Sequence, residues 1–313
     1  MNSRKIAIIG AGAIGSYYGA LLAWAGQDVR FLMRSDLEAV RKNGLRVEEE
    51  GKETFVLKPA KAYGTTAEIG ACDLVIIALK ATANEALVEL IPPLLKKDTI
   101  LLTLQNGLGN EAFLGEHFGK ERVVGGLCFI CANRLAPGVV KSFYPGYIVI
   151  GEPESRPRDR TRRLAEMWKE AGVKCHLAES LEEARWRKLC WNVPFNGLSI
   201  AAGGIDTEAL LARKGMTELV LELMREIQAI ASAAGHEIED EFLQKQIDVT
   251  YGMGPYRPSS LIDFQLGREV EVEAIWGEAF REAQRLKVPV PRLEMLYYLL
   301  LAQCERQTET NES

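Results

Sequence analysis

Ile6-Ala7-Ile8-Ile9-Gly10-Ala11-Gly12-Ala13-Ile14-Gly15 opens the chain with an apolar run followed by three glycines at fixed spacing, and the helix-forming stretch Ala20 to Ala25 comes directly after. The order reads strand, tight turn, helix. In Gly10-x-Gly12-x-x-Gly15 the first glycine allows a sharp turn, the second allows close approach of a pyrophosphate, and the third lets the helix pack on the strand. The helix N-terminus then presents unpaired N–H groups and a partial positive charge to that anion. A lone glycine fingerprint is common, but here the flanking strand and helix that the motif requires are both present. Gly10, Ala11, Gly12, Ala13, Ile14 and Gly15 are the expected dinucleotide contacts.

A second strand, Asp28 to Met33, leads to Arg34. At the end of this strand an acidic residue accepts a ribose 2'-hydroxyl, whereas an arginine accommodates a 2'-phosphate. A guanidinium matches phosphate in charge and geometry, so the sequence favours NADP(H). Two readings stay open beside it: a solvated surface arginine, and NAD(H) held by nearby Asp36.

With 313 residues the chain suits two domains. Its 47% hydrophobic and 26% charged residues are ordinary for a globular protein, and a net charge of -5 provides no basic field for nucleic acid or an anionic membrane. Arg4 and Lys5 precede an apolar stretch as in a secretory signal, but the dinucleotide glycines interrupt it. No apolar run reaches the roughly 18 residues of a membrane span. The chain reads as cytoplasmic. Its six cysteines are scattered like buried thiols in a reducing compartment. Cys128-x-x-Cys131 lies inside an apolar run with no second pair, so neither a zinc site nor any other metal centre is expected. His117, His176 and His236 lack ligand spacing.

Asp73 to Leu79 is a continuous apolar run of the kind found in a parallel strand buried on both faces. It ends in Lys80, either a ligand contact or a solvated helix-start lysine. Thr99 to Leu104 is another strand, ending in Gln105-Asn106-Gly107. Asn106 can donate and accept at a carboxamide or a substrate oxygen, or can simply form an Asn-Gly turn. Strands are expected at 123–132, 139–143 and 147–150, separated by Pro137-Gly138 and Pro145-Gly146 turns, and again at 173–177. From Leu181 the pattern is helical, which sets a boundary near residue 179: an α/β Rossmann-type domain over 1–179 and an all-helical domain over 180–313. One helix is expected to follow Ser259-Ser260 and carry Gly267, Arg268, Glu271 and Glu273. The Leu/Tyr face of Arg292 to Cys304 reads as core or as the seam of a homodimer formed through the helical domain.

Lys188, Asn192 and Asn196 recur every four positions, which stacks them along one helix face. An ammonium between amides, on a helix rich in Trp186, Leu189, Trp191 and Phe195, is an unusual group to bury without purpose. The competing reading is a solvated polar stripe. Arg268, Glu271 and Glu273 are charges that could face Lys188.

Gly10-x-Gly12-x-x-Gly15 with Arg34, Lys80, Gln105-Asn106-Gly107, Lys188-x-x-x-Asn192-x-x-x-Asn196, and Ser259-Ser260-x-x-Asp263 followed by Gly267-Arg268-x-x-Glu271 together resemble the ketopantoate reductase family. The likeness runs in order from about residue 5 to residue 300. It implies NADPH-dependent reduction of 2-dehydropantoate to (R)-pantoate, a step towards pantothenate and coenzyme A. Under it Lys188 is the general acid, and Glu271 orients Lys188 and binds substrate and cofactor. Asn192 and Asn196 position substrate oxygens, and Ser260 holds the carboxylate. Asn106 serves both nicotinamide and ketone, while Arg34 and Lys80 lie on the adenosine phosphate side.

Two departures stand out. Pro194 falls between the two asparagines, where it favours a kink and puts the direction of Asn196 in doubt. Arg257 precedes the paired serines where some family members carry a substrate-contacting asparagine. The alternatives are a paralogous reductase of another 2-oxo acid and a non-catalytic NADPH sensor; the intact Lys188, Asn192, Glu271 set argues against the sensor. A 3-hydroxyacid dehydrogenase relative fits the Ser259 to Glu271 segment poorly.

Overall fold

A computed structural model describes residues 3–312, with side chains through residue 306. In chain order the first part comprises β1 (Lys5–Ile9), α1 (Ala13–Trp24), β2 (Asp28–Leu32), α2 (Leu37–Asn43), β3 (Leu45–Glu49), β4 (Phe55–Leu57), β5 (Lys61–Tyr63), α3 (Thr66–Ile69), β6 (Leu74–Ile77), α4 (Leu87–Leu90), β7 (Ile100–Thr103), α5 (Asn110–Phe118), β8 (Val123–Ala136), β9 (Val139–Gly151), α6 (Asp159–Glu170) and β10 (Cys175–Leu177). Helices follow: α7 (Leu181–Ala201), α8 (Thr207–Leu211), α9 (Met216–Ala233), α10 (Asp240–Tyr251), α11 (Ser259–Gln265), α12 (Glu278–Leu286) and α13 (Pro291–Glu312). The chain divides into two units. One runs up to Gln105 and resumes over Asn110–Leu181; the other takes Asn106–Gly109 and everything from Glu182.

The first unit is a Rossmann-type layer built on a 10-stranded sheet in the order β4-β3-β9-β8-β7-β6-β1-β2-β5, with β10 paired to β9. β1 lies between β6 and β2, parallel to both. The apolar runs are explained by burial on both faces. Ile6, Ile8, Leu74 and Ile76 pack on one side with Tyr17 and Tyr18 of α1 and Trp168 of α6, while Ala7, Ile9, Val75 and Ile77 pack on the other with Ile69, Leu87 and Leu114.

Two expected elements come out differently. Pro145-Gly146 is not a turn: it lies inside the single strand β9, where register with β8 shifts between Phe129↔Tyr147 and Cys131↔Tyr144. Two residues there face one, which is a bulge, and a bulge tolerates a proline that has no ladder N–H to give. The helix expected to carry Gly267 through Glu273 is two helices. α11 stops at Gln265, Gly267 adopts φ 64°, and the chain re-enters helix only at Val272, through a π-turn at Glu273–Gly277.

Buried carboxylates fix joints within each unit. Glu226 on α9 accepts from the backbone N–H of Arg292 at 3.1 Å and of Leu293 at 2.8 Å, satisfying the first turn of α13 from outside the helix. Glu226→Ala should cost about 2 kcal/mol by leaving those donors without an acceptor, read as a lower denaturant midpoint at unchanged slope. In the first unit, Glu152 accepts from Arg160 Nε at 2.9 Å and from the Thr161 hydroxyl. Burial pushes this carboxyl up, but the Arg160 and Thr161 bonds outweigh burial and its pKa lies below the ordinary glutamate value. A depressed folded pKa means stability that is present above the unfolded value and lost as pH falls through the folded one. As pH falls from the ordinary glutamate value through the lower folded one, wild-type stability should therefore drop more steeply than that of Glu152→Gln, whose stability is lower at neutral pH and flatter with acid.

Candidate active site

Gly10, Arg34 and Lys80 each follow the carboxyl end of one of three adjacent parallel strands, β1, β2 and β6, the edge where open parallel sheets bind ligands. Gly10 has φ +96°, and an added Cβ would lie 2.3 Å from Leu79 N; one on Gly15 would lie 2.2 Å from Gly10 O. Both glycines are thus demanded by close backbone approach. Gly12 differs, since nothing lies within 4 Å of an added Cβ. It is the N-cap of α1, with no capping side chain and no acidic residue in the first turn. The Ser16 hydroxyl donates to Ala11 O at 2.9 Å and holds the loop. This arrangement fits a pyrophosphate.

Arg34 is exposed, and its guanidinium has no protein partner among the described residues. Asp36 does not stand open to a ribose. It is 5% exposed and accepts from the Ser35 hydroxyl at 2.9 Å, from Arg134 Nη1 at 2.6 Å and from the Gly138 N–H at 3.0 Å. The carboxylate that left NAD(H) open in the sequence is spent on the β8–β9 hairpin. Lys80 is half-buried and begins a 3-10 turn at Ala81–Ala86.

Asn106–Gly109 leaves the first unit to join the second, and its flanks are tied together. Thr103 Oγ1 donates to Gln105 Oε1 at 2.9 Å, Gln105 Nε2 to Asn84 Oδ1 at 2.7 Å, and Asn84 Nδ2 to Asn110 Oδ1 at 3.0 Å. Asn84 is a structural support that sequence reasoning missed; nothing in its local pattern separates it from a solvated helix residue. Within the second unit, Leu108 N–H donates to Ala274 O at 2.9 Å, so the segment is pinned to the π-turn. Lys188 Nζ donates to Asn106 Oδ1 at 2.6 Å. Two residues 82 apart in sequence, each singled out separately, are in contact.

The other positions on α7 divide. Asn192 is 7% exposed and its amide has no protein partner among the described residues. Asn196, 1% exposed, accepts from the Ser260 N–H at 3.0 Å and donates to Asn192 O at 3.1 Å. Its side chain therefore orders the start of α11. Ser260 is itself buried, and its hydroxyl has no protein partner among the described residues. Pro194 does not end α7, and Trp276 Nε1 donates to Val193 O at 3.0 Å beside it. The indole links the π-turn to α7, a role the sequence did not disclose.

Of the three charges considered for Lys188, two are directed elsewhere. Glu273 accepts from the Tyr297 hydroxyl and from Arg281, each at 2.7 Å. Arg268 is exposed and pairs with Asp263 at 3.8 Å. Glu271 is half-buried at the entrance to the π-turn, its carbonyl accepting from Ile275 N–H at 3.2 Å. Arg257 is exposed and donates to Gln265, whose own amide donates to Gly204 O at 2.7 Å.

The cysteines and histidines stay outside this chemistry. None of the six cysteines is joined in a disulfide, and burial pushes Cys175 and Cys190 up to about 12. No group of ligating residues among those described could hold a metal ion, and no described helix is long and apolar enough to cross a membrane.

Comparison with known proteins agrees with this architecture. The family model "Ketopantoate reductase PanE/ApbA" matches residues 6–155, and its C-terminal counterpart matches residues 180–303. A 2-dehydropantoate 2-reductase of Nostoc sp. is 41% identical over 305 residues, which cover 96% of this chain and 95% of the relative. The crystal structure of 2-dehydropantoate 2-reductase from Geobacter metallireducens superposes with TM-score 0.92 at 44% identity, covering 95% of this chain and 99% of that one. The ternary structure of D-mandelate dehydrogenase with NADH and anilino(oxo)acetate superposes with TM-score 0.89 at 25% identity, over 96% of this chain and 99% of that one. The chain belongs to the ketopantoate reductase family and is an oxidoreductase of the dinucleotide-binding type.

Proposed function

We propose that the protein catalyses NADPH-dependent reduction of 2-dehydropantoate to (R)-pantoate, serving pantothenate and coenzyme A synthesis in the cytoplasm. The observation that carries this reading is the Lys188 ammonium 2.6 Å from Asn106 Oδ1, on the same helix as an Asn192 amide without a protein partner. A 2-oxo acid presents a ketone and a carboxylate, oxygens that an ammonium and an unengaged amide are suited to bind. The similarity to named 2-dehydropantoate 2-reductases supports the choice among such acids.

In this reading 1–179 is the cofactor domain and 180–313 the substrate domain. Gly10 to Gly15 hold the pyrophosphate through backbone amides, and Arg34 with Lys80 meets the adenosine phosphates. The bound nicotinamide would supply the hydride. Lys188 polarises the ketone and donates the proton to its oxygen, a role for which a positioned acid contributes about 10²-fold to 10⁴-fold. Asn106 and Glu271 orient the ammonium and reach cofactor and substrate, Asn192 binds a substrate oxygen, and the Ser260 hydroxyl binds the carboxylate. Asn196 acts on substrate through Ser260 as a positioning residue, given that its amide is already engaged with the Ser260 backbone.

The deciding experiment is cofactor oxidation with 2-dehydropantoate beside pyruvate, 2-oxoisovalerate and phenylglyoxylate, each with NADPH and NADH. Selective turnover of 2-dehydropantoate with NADPH is expected. The mandelate dehydrogenase likeness favours a second reading, a reductase of another 2-oxo acid, and preferential turnover of phenylglyoxylate would select it. Arg34→Ala should weaken NADPH by roughly tenfold or more, the scale of one charge-assisted contact, and leave NADH unchanged; equal weakening of both removes the 2'-phosphate role.

A further inference from the structure

Asp36, Ser35 and the β8–β9 hairpin form a cluster that the fold does not require for its core, and it sits one residue from Arg34. Resting on the NADPH reading above, we infer that Arg134 is a second cofactor-specificity residue, forming with Arg34 and Ser35 a two-guanidinium site for the 2'-phosphate of the adenosine ribose. Three observations on this chain lead there.

First, Arg134 Nη1 lies 3.2 Å from Ser35 Oγ. A phosphate oxygen that Ser35 and Arg34 could both reach is therefore within side-chain reach of Arg134. Second, Arg134 is tied down by one nitrogen only. Nη1 makes both contacts, to Asp36 Oδ1 at 2.6 Å and to Ser35, while Nε and Nη2 have no protein partner among the described residues. A guanidinium serving only as an anchor reaches its best geometry by binding a carboxylate with two parallel bonds. Here the second oxygen of Asp36 is taken instead by the Gly138 N–H at 3.0 Å, so the free edge of the guanidinium stays open and its side chain is 37% exposed. Third, the position is rigid. Asp36 is buried and holds the hairpin at both Arg134 and Gly138, and β9 pairs with β3 through Arg46↔Val139. The hairpin is thereby registered against the end of β2.

Charge completes the argument. Arg34 directly precedes Ser35, Arg134 reaches the Ser35 hydroxyl, and the Asp36 carboxylate beside them is committed to Arg134. The cluster is left with an excess positive charge, which a 2'-phosphate dianion offsets and a 2'-hydroxyl does not. The sequence hides this pair because the two arginines are 100 positions apart, and only the β8–β9 hairpin brings Arg134 to Ser35, the residue after Arg34.

The test uses the full-length protein and two fragments, 2',5'-ADP and 5'-AMP, whose binding is measured by calorimetry independently of turnover. Wild type should prefer 2',5'-ADP. Arg134→Ala should weaken 2',5'-ADP on the order of tenfold while leaving 5'-AMP unchanged, and the Arg34→Ala, Arg134→Ala double variant should lose the preference. Should Arg134→Ala lose the folded hairpin, Arg134→Lys keeps one cation for Asp36 and lacks the open fork, so it should fold and still lose selectivity. Weakening of both fragments alike, or an unaltered preference in Arg134→Lys, overturns the inference and leaves Arg134 as a hairpin anchor. If wild type itself shows no preference for 2',5'-ADP, the NADPH reading fails, an outcome distinct from retention of the preference without Arg134.

Discussion

Lys188→Ala should lower kcat on the order of 10²-fold or more, with NADPH affinity and thermal stability close to those of the wild type. A loss of 10² corresponds to about 2.7 kcal/mol of transition-state stabilisation, within the range of a positioned general acid. Lys188 is half-buried on α7, and its Nζ donates to Asn106 Oδ1 at 2.6 Å, so it is fixed in direction before any substrate arrives. A preorganised donor costs no reorganisation as negative charge grows on the ketone oxygen, which is why its effect falls on kcat more than on KM. The cofactor contacts proposed for Gly10 to Gly15 and Arg34 are untouched, so fragment and NADPH binding should survive. Lys188→Arg keeps the charge but delivers it through a longer planar group with a far weaker tendency to give up a proton; it should recover binding order without recovering rate. Turnover of Lys188→Ala within twofold of wild type would reject the acid role.

How much of this was open to inspection in the sequence differs from element to element. The β1–α1 turn was legible because its requirements are local: an apolar run, glycines at two crowded backbone positions, and a helix start all fall within residues 6–15. The change from an α/β pattern to helices was legible for a similar reason, since the hydrophobic period changes after β10. Local pattern failed where tertiary pairing decides. Pro145-Gly146 has the composition of a turn, yet β8 continues opposite it and β9 takes up the extra residue as a bulge. The stretch around Gly267 has enough helix-compatible residues to read as one helix, but Gly267 at φ 64° ends α11 and the π-turn restarts the chain.

At the site, spacing showed that Lys188, Asn192 and Asn196 share a face and could not show what each one does. Asn196 is consumed by the Ser260 backbone and Asn192 is left available, a distinction set by α11, which lies more than 60 residues downstream. Asp36 is the counterpart in the first unit. By position it was a candidate ribose acceptor, and only the return of the β8–β9 hairpin shows that its oxygens are taken. Asn84 and Trp276 were invisible for the same reason, because their partners are distant in sequence.

Gly107→Ala should reduce kcat on the order of tenfold or more, with a comparatively small loss of melting temperature. Gly107 has φ +80°, which costs an alanine about 1–2 kcal/mol. The steric demand is heavier than the torsional one. An added Cβ would lie 2.2 Å from Ala274 O and 2.5 Å from Ala274 C, backbone atoms of the π-turn. A flexible side chain could swing aside, but a backbone carbonyl inside a buried turn can give way only if the turn itself is rebuilt. The cheaper response is for the loop to lift. That movement forfeits the Leu108 N–H to Ala274 O bond at 2.9 Å, worth about 1 kcal/mol, while the Gln105, Asn84 and Asn110 chain on its flanks remains. Global stability then falls only modestly, but Asn106 moves off Lys188 and the ammonium loses its fixed direction. Gly109→Ala supplies the control. Gly109 has nearly the same torsion, φ +83°, but its added Cβ would meet only Glu278 side-chain atoms at 3.6 Å or more. If lifting of the loop by Ala274 is the cause, Gly109→Ala should lose little activity. Equal losses in the two variants would show that torsion alone governs the loop, and the account of how the π-turn positions Asn106 would fall.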